Sequence, residues 1–232
     1  MSFKFKLGVL AIGVMAATSA QAYQAGDIIV RAGAVTVDPQ DSSSNLDLNG
    51  TSVPGARVSV DSNTQLGLAG TYMFTDHFGV GLLAATPFQH NIEGDGSVLG
   101  GAGKLAETKH LPPTLTLQYY PLHSSSMVQP YAGVGVNYTN FFEEKTTDTL
   151  TTTLGAASTS IELDDSVGVA AELGVDIRLD ERFGLNAAVW WADIDTEATI
   201  KAYDGSANLA GTGKLDVEID PLVYMVGFTY NF

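Results

Sequence analysis

Between Ser166 and Leu179 the chain alternates without interruption. Val167, Val169, Ala171, Leu173, Val175, Ile177 and Leu179 occupy one face; Ser166, Gly168, Ala170, Glu172, Gly174, Asp176 and Arg178 occupy the other. A period of two is the mark of a strand with unlike faces. About eight such segments recur, at approximately 27–38, 63–74, 78–92, 108–120, 130–142, 165–179, 183–199 and 214–232. Long polar connections alternate with short ones such as "TDH" and "DER" along the whole chain. An even number of long strands with connections sorted by length predicts an all-β, eight-stranded antiparallel transmembrane β-barrel. Its short turns are periplasmic and its long loops extracellular. A soluble sandwich would bury the apolar faces and has no reason to sort its loops in this way.

The N-terminus assigns the compartment. Lys4 and Lys6 precede an apolar run from Leu7 to Ala17, and Ala20-Gln21-Ala22 supplies a small-x-small cleavage pattern. The run is shorter than the roughly 20 residues a spanning helix needs. Residues 1–22 therefore read as a cleaved signal peptide and 23–232 as an outer-membrane β-barrel domain. With both leader lysines removed, the formal charge of −15 becomes −17. So acidic a chain is a poor partner for nucleic acid, and the absence of cysteine excludes disulfides and thiolate chemistry. Aromatic residues near strand ends suit interfacial girdles, and the last strand ends on Phe232, the feature that the barrel-assembly machinery is expected to read.

"AGDIIVRAG", "TQLGLAGTYMFTDHFGVGLLAATPFQHNI", "HLPPTLTLQYY", "QPYAGVGVNYTNFF" and "WWADIDTEA" closely resemble, in order and spacing, stretches of the outer membrane protein W (OmpW) family. The resemblance implies an eight-stranded barrel in the Gram-negative outer membrane. It also implies passage of small hydrophobic molecules through a narrow apolar channel that opens sideways into the membrane. The chain departs from the family pattern mainly at 38–62 and 143–165, so ligand preference does not carry over.

Proline cannot donate a ladder hydrogen bond, yet "HLPPTLTLQYY" carries Pro112 and Pro113. A symmetric hairpin closed by the loop at about 93–106 places Pro87 of "AATPF" opposite Pro112. Two adjacent strands then lose donors at one height, which reads either as a lateral opening or as a bulge near the rim. Parity places Leu83 and Trp190 in the lumen, where they gate an apolar passage or merely pack a narrow barrel. The same reckoning turns Phe88 toward lipid and Pro87 inward. Arg31, Gln118, Glu172, Asp176 and Arg178 face inward lower down, and buried charges must pair. They form a polar plug across the lumen or a structural filler.

Other signals are weaker. His90 and His110 are candidate cross-strand neighbours near the outer mouth, and rim residues are the plainer reading. Asp193 and Asp195 read as solvated rim charges, no nucleophile elbow is present, and the Gly spacing of "GDGSVLGGAG" is wrong for a dinucleotide loop. No enzyme activity, cofactor or metal site is expected. The expected function is passive uptake of small hydrophobic or amphipathic molecules with lateral release near Pro87 and Pro112. Outer-membrane lipids and lipopolysaccharide are the surrounding partners. The alternative is a structural or adhesive barrel whose extracellular loops bind partners without transport.

Overall fold

The computed structural model describes residues 23–232, so the predicted signal peptide lies outside the described residues. Eight strands build the barrel: β1 (Ile28–Asp38), β2 (Asn63–Met73), β3 (Phe78–Ala85), β4 (Thr114–Tyr119), β5 (Val128–Thr146), β6 (Ser166–Arg178), β7 (Phe183–Ala192) and β8 (Leu222–Asn231). Each pairs antiparallel with its sequence neighbours, and β1 pairs with β8, so the sheet closes and has no free edge within the barrel. Closure pairs neighbouring strands all round the barrel, the condition for crossing lipid with strands. The outward faces stay apolar: Val134, Leu173, Val226 and Phe228 are 63–68 % exposed, a burden in water that lipid removes. Tyr72, Phe74, Phe78, Tyr119, Phe183 and Phe232 add exposed aromatics near the periplasmic turns.

The extracellular side is a second storey rather than a set of loops. The upper part of β5 (Asn140–Thr146) pairs with Lys104–Leu111, which pairs with Phe88–Asp95, which pairs with Arg57–Val60. Facing this sheet is another, made of Ser158–Leu163, Asp195–Tyr203, Leu209–Glu218 and short strands from 42–52. Between them lies an apolar cluster including Leu46, Val58, Ile92, Leu105, Phe141, Ile161, Ile200 and Leu215.

Four expected strands are consequently broken at the junction between storeys. Segments 78–92 and 108–120 stop at 86–87 and 112–113; segments 183–199 and 214–232 stop at 193–194 and 219–221. The two hairpins break differently. In the β7–β8 hairpin Trp191 pairs with Leu222 below the break and Asp195 with Glu218 above it, so one register runs through. Ile219 N donates to Ile194 O at 2.8 Å and holds it together. In the β3–β4 hairpin the lower register pairs Leu83 with Thr114, and extending it would set Phe88 against Lys109. Phe88 instead pairs with His110. A one-residue slip turns every side chain on one strand to the other face. Phe88 is therefore buried, contrary to the parity expectation, and Pro87 is exposed instead of lumenal.

Candidate functional site

The lower lumen is closed by a hydrogen-bonded set of side chains. Arg31 reaches from β1 to Asp176 of β6 through two bonds, Nε to Oδ1 at 3.1 Å and Nη2 to Oδ2 at 2.6 Å. Its other donors reach Thr71 at 2.7 Å and Tyr120 at 3.0 Å, and the guanidinium lies 4.8 Å from the centre of the Tyr131 ring. Asp176 also accepts from the Tyr23 hydroxyl at 2.7 Å and Asn186 Nδ2 at 2.9 Å. Glu172 accepts from Thr116 at 2.7 Å and Gln118 at 2.8 Å, and Trp190 is its cross-strand partner on β7. Gln118 joins the two halves, because its Oε1 accepts from Thr71 and Tyr120, each at 2.9 Å. Arg31 and Asp176 are 1 % and 0 % exposed, and an ion pair so buried is tolerated only when its remaining valences are filled in this way.

Two glycines make room for this set. A Cβ on Gly81 would lie 2.3 Å from Gln118 Nε2, and one on Gly174 2.2 Å from Tyr131 Cζ. Of the five residues expected here, Arg31, Gln118, Glu172 and Asp176 share the network. Arg178 is half-buried and lines a small recess at the periplasmic mouth with Tyr23, Asp180 and Thr229. Parity alone missed Tyr23, which precedes β1, and Tyr120, which follows β4. Tyr131 lies on the inward parity of Gln129 and Gly133 and was open to the same reckoning.

Above the plug the interior turns apolar. Leu83 and Trp190 are buried in a cluster with Val35, Val37, Phe88, Val223 and Met225. Val37 is also in the floor of a cavity of about 50 Å³ in the upper storey, whose walls include Ile92, Leu105, Phe141, Ile194, Ile200 and Leu215. Leu83 and Trp190 thus stand in the apolar layer between the plug and this chamber, and Trp190 lies directly across from Glu172 of the plug.

The proline break sits beside this layer. On the β5 side the wall stays stitched: Pro113 O accepts from Tyr138 N at 3.1 Å, and Pro112 O from Asn137 Nδ2 at 3.2 Å. On the β2 side it does not. Thr86 N reaches Leu66 O at 3.1 Å and Asp61 N reaches Asn91 O at 3.2 Å, but no ladder joins β2 to Phe88–Asp95 between them. The unpaired stretch, 62–65 against 87–90, lies just above the outward apolar band marked by Leu66, Leu82 and Leu115. Pro87 does not lie opposite Pro112: the lower register carries Pro112 to Ala85 and the upper one carries Pro87 to Leu111.

His90 and His110 are neither direct cross-strand partners nor rim residues. His90 pairs with Thr108, so the two rings meet diagonally with centroids 4.8 Å apart. Both are buried and both line the chamber. Burial pushes His110 down to about 3 from the usual imidazole value, with His90 adding to the effect. Burial also lowers His90, opposed by its bond to Asp61 O. Asp193 and Asp195 are joined by Asp220 in an acidic trio, their oxygens within 4.8 Å, at the break of the other hairpin.

The sequence model of the OmpW family matches residues 24–232. The chain is 46 % identical to outer membrane protein W of Vibrio cholerae over 230 residues, covering 98 % of this chain and all of that one. It is 28 % identical over 193 residues to the dibenzothiophene metabolism operon protein PahQ of Pseudomonas aeruginosa, covering 83 % of this chain and 82 % of that protein. Among solved structures, the outer membrane protein OprG of Pseudomonas aeruginosa superposes with a TM-score of 0.82 at 50 % identity. That match covers 91 % of this chain and 98 % of OprG. The closed eight-stranded barrel, with an apolar chamber over a polar lumen, is thus an outer-membrane barrel, and the chain belongs to the OmpW family.

Proposed function

We propose that the barrel takes up small apolar molecules from outside and releases them sideways into the outer membrane. The observation that carries this reading is the stacking of three features: an apolar chamber, a charged plug beneath it, and a stretch of unpaired wall beside the layer between them. A solute that enters the chamber meets Leu83 and Trp190, and below them the Arg31–Asp176 pair, which offers nothing to an apolar surface. Leaving through the gap between β2 and Pro87 returns it to hydrocarbon, with a gain of roughly 0.8 kcal/mol per CH₂ over water. The gap lies near the headgroups, where unpaired backbone groups can be hydrated. At the bilayer centre they would cost several kcal/mol each. The relative named for a dibenzothiophene metabolism operon supports an apolar cargo.

A reversible cross-link tests the exit. The lower β2–β3 register sets Gln65 against Pro87, so Gln65→Cys/Pro87→Cys closes the gap on oxidation. In liposomes, oxidation is expected to stop uptake of an apolar fluorescent probe and reduction to restore it. Uptake indifferent to the cross-link would rule out lateral release. No uptake by the unmodified protein would leave the structural or adhesive role.

A further inference from the structure

Two leucines carried by hairpin tips line the chamber at the end away from the barrel: Leu99 of α1 (Gly96–Leu99) and Leu150 of α2 (Asp148–Thr153). They are 8 % and 3 % exposed, so a solute arriving from outside must displace part of the wall. The two tips are held very differently. The Thr147 hydroxyl caps α2, accepting from Leu150 N at 3.4 Å, and donates to the Lys104 and Leu105 carbonyls at 2.9 Å. Thr147 N donates to Leu105 O at 3.0 Å, and the Thr151 and Thr159 hydroxyls meet at 2.8 Å.

Nothing comparable pins α1. Asp95 stands at its N-cap without a side-chain capping bond. Gly100 N to Gly96 O at 3.0 Å and Ala102 N to Leu99 O at 2.9 Å stay within the tip. Among the described residues, Val98 N to Gly55 O at 2.9 Å is the one hydrogen bond tying 96–103 to anything outside its own hairpin. The "GDGSVLGGAG" stretch, with no place in a dinucleotide site, here supplies hinges. Gly101 and Gly103 have φ of +88° and +77°, and a Cβ on either would meet nothing within 4 Å. These two glycines therefore serve backbone freedom rather than space.

We propose that 96–103 is a glycine-hinged lid and that small apolar solutes enter the chamber where Leu99 lifts away. Such a solute takes up the apolar contacts that Leu99 gives up, whereas a polar one does not. Val98, beside Leu99 and 55 % exposed, offers it a first apolar contact on the outside. The lid's part in entry rests on the uptake reading; its motion rests on its own contacts.

The chain has no cysteine, so each single-Cys variant reports one site. In lipid nanodiscs a charged thiosulfonate reagent stays out of an apolar chamber and reaches Leu99→Cys only when the lid is up. Leu99→Cys is expected to react at least about tenfold faster than Leu150→Cys or Leu105→Cys, the ratio given by one or two hydrogen bonds fewer to break. In the unmodified protein, hydrogen exchange at Val98, Gly100 and Ala102 should outpace that at Thr151 and Leu154. In liposomes, Leu99→Ala should raise the initial uptake of a small apolar probe roughly tenfold, because the lid gives up less apolar contact on opening. Leu150→Ala should leave it within about twofold, because its tip stays pinned. Equal labelling at 99 and 150 would overturn the lid, as would equal exchange of the two tips should a variant not fold. Uptake unchanged by Leu99→Ala would overturn entry at this point. If labelling is selective but the unmodified protein takes up no probe, the lid stands and the uptake reading falls.

Discussion

The two storeys solve opposite problems with the same strand geometry. In the lower storey the inward positions are Arg31, Thr71, Gln118, Glu172 and Asp176, and specificity lies in fully paired hydrogen bonds. In the upper storey they are Leu46, Ile92, Phe141, Ile200 and Leu215, and stability is a matter of packing. The lower storey puts polar groups inside because its outer face meets lipid. The upper storey stands clear of the membrane and puts its apolar groups inside as a soluble protein does. The difference teaches where each storey is vulnerable: loss of a partner below, loss of volume above.

The largest effect is expected from splitting the buried pair. Arg31→Met leaves Asp176 buried with only Tyr23 and Asn186 as donors, and should lower barrel stability by about 3–5 kcal/mol. Urea unfolding in lipid vesicles measures this. Arg31→Met/Asp176→Leu should recover most of the loss, since an apolar pair leaves no unpaired charge; a double variant as unstable as the single one would mean that the network acts through more than charge.

Next is Leu215→Ala in the upper storey, expected to cost about 2–4 kcal/mol. Hydrogen exchange should then rise in 195–218 while the barrel strands stay protected. Equal loosening of both storeys would show that they unfold as one unit.

The pH dependence separates them again. His110 is held near 3, and His90 is lowered as well, in both cases first by burial. Protons bind these groups more tightly in the unfolded chain than in the folded one. The stability they carry is therefore complete above about pH 6.5 and is lost as pH falls toward 3, at no more than roughly 1.4 kcal/mol per unit of pH per group. Hydrogen exchange of the upper storey at pH 7 and pH 4 reads this out, and His110→Leu should flatten the profile. The smallest effect is at the surface: Lys214→Ala removes a 2.6 Å contact with Glu197 and should leave thermal unfolding unchanged, because exposed ion pairs contribute little.

Much of the lower storey was legible in the alternation. Leu83, Trp190, Arg31, Gln118, Glu172 and Asp176 lie on the inward parity of uninterrupted strands, where a period of two leaves no choice of face. The same reckoning failed at Phe88, because the slip at Pro87 and Pro112 resets the face, and a parity count cannot see a slip. His90, two residues beyond Phe88, follows it inward, whereas His110 keeps the inward parity of Thr114, Thr116 and Gln118; both lie in the chamber wall rather than at the rim because a second storey stands above the barrel. The alternation shows the upper storey only where it continues a barrel segment, as at 88–92 and 195–199; the short strands at 42–60 and 158–163 read as connections because so few residues carry no clear period.

Local sequence determined that this chain is a closed barrel with an apolar outer face, since alternation and connection length are properties of neighbours along the chain. It also determined that 86–87 and 112–113 would interrupt pairing, because proline lacks a donor wherever it is placed. Only the tertiary structure decided that one hairpin break is stitched and the other leaves β2 unpaired. It alone decided that Tyr23 and Tyr120 complete the plug, and that His90 and His110 belong to the wall of an apolar cavity. Those outcomes depend on register between strands remote in sequence, and register is set by the sum of all cross-strand contacts rather than by any one segment.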